Sequence, residues 1–186
     1  MADKLPFNGP VELNGTTTIS GATTLSGATT SSGGFTVTGA LRTAAVAVGD
    51  ARELLASENG ATVFWTKDSA HHITLPPAAA GLYYRIVVLV GSNNNHHILP
   101  AAGDYFYGKV TVVGSGADNK VSVQTVAKGA TAGNHDHMKI DQDANDTGGE
   151  VGSVINLWAV DDTGWLVDAH LSTTGTPASI ATIYAG

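Results

Sequence analysis

Between residues 9 and 39 glycine recurs at every sixth position, at Gly9, Gly15, Gly21, Gly27, Gly33 and Gly39. The fifth place of each unit is aliphatic, with Leu13, Ile19, Leu25 and Val37 filling it and Ser31 as the exception. Six is an even number, so an extended chain presents every unit in the same orientation. Val11, Leu13, Ile19, Leu25, Phe35, Val37 and Leu41 then share one side, and polar residues such as Thr16, Thr18, Ser20, Thr24, Ser26, Thr30, Thr36 and Thr38 take the other. This pattern predicts a two-faced extended segment with no helical period. A lone strand of that kind is not stable in water, because its apolar stripe is thin and its backbone groups lack partners. Three copies wrapped about one axis would supply both, which makes Leu13, Ile19, Leu25 and Val37 the candidate oligomerisation residues. A Gly/Thr/Ser linker is the competing reading. A hexapeptide β-helix would need more units than are present.

Beyond residue 43 the pattern becomes globular. Apolar runs of strand length fall at residues 61–65, 73–75, 83–90, 97–99, 109–113, 120–126, 154–160 and 165–171, separated by Gly-, Asn- and Asp-rich turns. Asp161-Asp-Thr-Gly164, between two alternating runs, predicts a hairpin, and only residues 50–57 suit a short helical turn. The expected architecture is all-β. An extended trimeric stem occupies residues 1–42, and a β-sandwich or jelly-roll-like knob occupies residues 43–186.

Composition narrows the function classes. Charged residues make up 13% of the chain, against about 25% in ordinary soluble proteins. The net charge of −7 speaks against nucleic acid and anionic membranes as partners. Without cysteine, thiolate metal sites and thiol catalysis are excluded. There is neither the charged and apolar signature of a secretion signal nor an apolar run long enough for a membrane helix, so the expectation is synthesis in a host cytoplasm.

Candidate chemistry is sparse. Six of the seven histidines are paired, as His71-His72, His96-His97 and His135-Asp-His137. Neighbours on a strand face opposite ways, so each His-His pair places only one ring on a given side. Both precede an apolar residue and a proline, as a repeated strand-exit device would. His135 and His137, two apart, would share a face, and three symmetry copies could offer six imidazoles to one metal ion; these two are the candidate metal ligands. The run from Asp141 to Asp146 begins like a Ca²⁺ loop, but Asp146 stands where glycine is needed and Gly152 where a bidentate glutamate belongs. No nucleophile elbow, phosphate loop or zinc-protease motif is present. Asp161 and Asp162 are adjacent at a hairpin tip, unlike the separated carboxylates of a glycosidase. Trp65, Trp158 and Trp165 lie in or beside strands, as core packing or as carbohydrate platforms. The chain is therefore expected to be no enzyme and to need no cofactor.

Several segments resemble a known family. Leu54-Leu-Ala-Ser-Glu-Asn-Gly60 with Val63-Phe-Trp65, then Ile73-Thr-Leu-Pro-Pro-Ala-Ala-Ala-Gly-Leu-Tyr-Tyr-Arg-Ile-Val-Val88, are similar to capsid decoration (cement) and head-fibre proteins of tailed bacteriophages. So are His97-Ile-Leu-Pro-Ala-Ala-Gly-Asp104 with Gly108, and the closing Gly164-Trp165. The hexad repeat resembles the stems of phage fibres. The resemblance implies a homotrimer, a β-rich knob and no catalysis, with no defined site residues, and the insert at residues 135–150 lies outside it. The function expected is that of a virion structural protein which trimerises and binds the major capsid protein at the capsid surface. The alternative is a trimeric receptor-binding tail fibre or spike that binds host surface glycan. A glycan-active enzyme using Asp161 or Asp168 is the third reading.

Overall fold

The computed structural model describes residues 43–68, 71–91, 96–114, 121–127, 136–140, 148–174 and 183–184. They belong to one compact unit, Arg42–Gly186. The stem candidates Leu13, Ile19, Leu25 and Val37 lie outside the described residues, as do His135 and residues 141–147.

Among the described residues the fold is all-β. The strands are β1 (Ala45–Val48), β2 (Arg52–Glu53), β3 (Thr62–Trp65), β4 (His72–Thr74), β5 (Tyr83–Val88) and β6 (His96–Leu99). They continue as β7 (Tyr105–Gly114), β8 (Val121–Val126), β9 (His137–Ile140), β10 (Val154–Ala159), β11 (Gly164–Thr173) and β12 (Ile183–Tyr184). The helical turn expected at residues 50–57 resolves into β2 and a short 3-10 turn, Ala56–Glu58, where Arg52 pairs with Glu58.

Two mixed sheets form. The larger has seven strands in the order β1-β3-β5-β10-β11-β7-β8, and the smaller has five in the order β12-β9-β6-β4-β2. For its first six strands the chain alternates between the sheets, and each new strand lies parallel to the one two before it. Val46 lies beside Val63 and Val63 beside Ile86, while Ile73 lies beside Ile98 in the other sheet. The result is three stacked rungs. The expected hairpin then joins β10 to β11, with Ala159 opposite Trp165. Its tip is held by Asp161, whose Oδ1 accepts from the Gly164 amide at 2.8 Å and the Thr163 amide at 3.1 Å.

Alternation explains which residues become core. In β5, Tyr84, Ile86 and Val88 are buried, while in β10 Ile155, Leu157 and Ala159 are. A single apolar cluster draws on both sheets and includes Trp65, Ile73, Ile98, Phe106, Met138, Ile140 and Trp165. Burying side chains of this size contributes about 1.5–3 kcal/mol each before conformational entropy is set against it. Gly108 interrupts one buried column because a Cβ there would stand 2.2 Å from the Val167 carbonyl oxygen. Its φ of +125° is one that L side chains rarely adopt, so both sterics and backbone demand glycine.

Candidate functional site

The paired histidines occupy neighbouring strands in register. His72 lies beside His97, and Ile73 beside Ile98, in parallel pairing between β4 and β6. As strand geometry requires, each pair splits. His71 and His96 are buried; His72 is exposed and His97 half-buried. The inner rings close on Trp65, with centroid separations of 5.1 Å to His71 and 4.6 Å to His96. His96 Nε2 also lies 3.1 Å from the Lys67 carbonyl oxygen. These two imidazoles are therefore part of the core's rim. Both segments leave the sheet through proline, and Asp104 after β6 accepts a 2.7 Å hydrogen bond from the Ala78 amide after β4.

On the outer side of the five-stranded sheet, the His97 and His137 rings are 5.3 Å apart. His137 Nδ1 lies 3.0 Å from Asp136 Oδ1. Burial, followed by the neighbouring His137 and Lys139, holds the His97 imidazole below its ordinary pKa, so its neutral form is favoured. Met138 and Ile140 point inward from the same strand. The segment at His137 is thus a strand between β6 and β12. The alternation Met138-Lys139-Ile140 was the available signal, but at four residues it is too short to stand out. Among the described residues no three His, Asp or Glu side chains form a metal-binding group. Next to this face, a depression of about 550 Å³ is lined by residues 99–104 and Asp136.

The outer face of the seven-stranded sheet carries a second constellation. Its registers align side chains into rows that cross the strands. One row runs Tyr83, Trp158, Leu166, and the next runs Arg85, Asn156, Asp168, Lys109. Tyr83 and Trp158 are both half-buried, with ring centroids 5.3 Å apart and planes inclined at 32°. The Tyr83 hydroxyl donates to Asn156 Oδ1 at 3.1 Å, and Asn156 Nδ2 donates to the Asp168 carbonyl oxygen at 3.4 Å. The polar row is thereby tied to the aromatic one. The start of β5 is fixed as well, since the Tyr83 amide donates to Asn59 Oδ1 at 2.8 Å.

The three tryptophans separate cleanly. Trp65 is 2% exposed and Trp165 0%, both in the core, whereas Trp158 faces outward. The parity of Val154-Ile-Asn-Leu-Trp-Ala159 encodes this, because Ile155, Leu157 and Ala159 claim the inner face. Only the pairing of β5 with β10, invisible in the sequence, brings Tyr83 to Trp158. No known family model matches the chain, and no curated protein or solved structure is significantly similar to it.

Proposed function

We propose that this protein is a structural component of a bacteriophage virion, a capsid decoration or head-fibre protein. In this reading residues 1–42 form a trimeric stem and residues 43–186 a β-sandwich knob with jelly-roll-like character, displayed on the capsid surface. It is not an enzyme; its work is adhesion to the major capsid protein, holding the shell's subunits together. The observation that carries the reading is the unbroken glycine hexad with Leu13, Ile19, Leu25 and Val37 in phase, joined to an all-β unit. Two sheets sharing one core support the sandwich reading of the knob. The test is the mass of the full chain in solution, measured by light scattering. Three copies are expected, falling to one when Leu13, Ile19, Leu25 and Val37 are all replaced by serine; a monomeric parent would sink the stem. Co-sedimentation with shells of the major capsid protein tests the adhesive role, and failure to co-sediment would overturn it.

The half-exposed Trp158 beside Tyr83 favours one second reading, a trimeric tail fibre or spike that binds host glycan. Immunogold labelling of whole particles separates the two, with label on heads supporting decoration and label on tails supporting the fibre.

A further inference from the structure

We infer that the outer face of the seven-stranded sheet, centred on Tyr83, Trp158 and Asn156, binds a pyranose-containing saccharide. The axial C–H bonds of a pyranose make one apolar surface, and its hydroxyls make a polar edge. A matching site needs an open aromatic surface bordered by fixed hydrogen-bonding groups, an arrangement in which apolar area gives affinity and a few polar groups set orientation. Tyr83 and Trp158 supply the first, with ring centroids 5.3 Å apart and planes inclined at 32°. Asn156, Arg85 and Asp168 supply the second, one row along the strands, a step of roughly 7 Å at two residues' rise.

One of these groups, Asn156, is also preorganised. Asn156 is clamped between the Tyr83 hydroxyl and the Asp168 carbonyl, which fixes its amide and leaves its second N–H for a ligand. Arg85 is exposed and makes no salt bridge among the described residues, so its guanidinium can turn toward hydroxyls or a sugar carboxylate. The site is open because it lies on a sheet rather than in a cavity. It therefore suits a long chain entering from the side better than a small free sugar. This inference deepens the glycan-binding reading and is independent of the stem and of capsid adhesion, since a chain that is monomeric or never meets a capsid carries the same face.

Tryptophan fluorescence gives a direct readout, because Trp65 and Trp165 are in the core and Trp158 alone of the three is reached by solvent. The full-length protein is titrated with cellohexaose, laminarihexaose, mannohexaose, chitohexaose and hexagalacturonate, with calorimetry in parallel. At least one is expected to give a saturable emission shift and measurable heat. In calorimetry Trp158→Ala lowers the affinity at least about tenfold, Arg85→Ala weakens it several-fold, and Trp158→Phe retains part of it. Near-UV circular dichroism of the two core tryptophans verifies that each variant is folded, and Arg85→Ala, at an exposed position, keeps the test decisive if a Trp158 variant is not. Silence from all five probes at about 10 mM overturns the inference. Binding that survives Trp158→Ala with undiminished affinity overturns it equally. Either result leaves the mass of the assembled chain, and hence the stem, untouched.

Discussion

Two positions show how much a single residue decides. A Cβ at Gly108 would enter the contact radius of the Val167 carbonyl oxygen, in the middle of the parallel β7–β11 pairing. Gly108→Ala should cost more than about 3 kcal/mol, whereas Gly81→Ala, with a φ of +94° and open space around it, should cost about 1 kcal/mol. Urea denaturation of the two variants tests the contrast, and equal losses would refute it. Tyr84 is the second position. Its hydroxyl donates to the Leu55 carbonyl at 2.8 Å, and burial, with Glu58 as the smaller cause, pushes its pKa up to about 12. The folded phenol keeps its proton after the unfolded one, at about 10, has lost it. Its contribution is thus complete below pH 10 and disappears as pH rises toward 12. Tyr84→Phe should be about 1 kcal/mol less stable at neutral pH. It should also lose less than the parent between pH 10 and 12, and parallel pH profiles would contradict the assignment.

At the scale of elements, what the sequence made visible depended on length and partner. The apolar runs at 83–90, 154–160 and 165–171 are seven or eight residues long, and each lies on a strand, β5, β10 and β11. Strands β1, β2, β9 and β12 span two to four residues and fall in none of the runs read from the sequence, whereas β3, β4 and β6, equally short, do. β7 was half legible: the run read from the sequence starts at Lys109, after Gly108, yet the strand runs through that glycine from Tyr105. The hairpin was legible because its turn chemistry is local. Asp161→Ala removes acceptors for the Thr163 and Gly164 amides. It should lower stability by about 1 kcal/mol and accelerate hydrogen exchange at those two amides, while Leu157 and Val167 at the centre of the hairpin keep their protection. Equal acceleration along both strands would mean that the turn governs the whole hairpin.

For the whole molecule, strand order was the illegible part. Pairing is a property of two distant segments, and among the described residues half of the pairings are parallel, which no turn motif announces. The candidate sites divide the same way. The outward parity of Trp158 could be read along β10, but its meeting with Tyr83 needed the register. His97 and His137 are likewise brought together by the pairing of β6 with β9. The charge distribution was legible from the start. Residues 14–41 carry no charged side chain, and half of the acids fall between Asp136 and Asp168. That asymmetry, with the hexad, is the reason the proposed attachment rests on the arm and the proposed recognition on the β unit.

The alternation of the first six strands also bears on how such a molecule can change size. Among the described residues β1 is terminal in the larger sheet and β2 in the smaller, so both sheets end at the same rung. Duplicating or deleting that rung would lengthen or shorten both together by one strand spacing, roughly 4.8 Å, with no other pairing redrawn. Tyr83 and Trp158 sit on β5 and β10, two and three strands in from that end. The proposed saccharide face can therefore stay constant while the body beside it grows by whole steps, as in repeat proteins whose units contact only their neighbours.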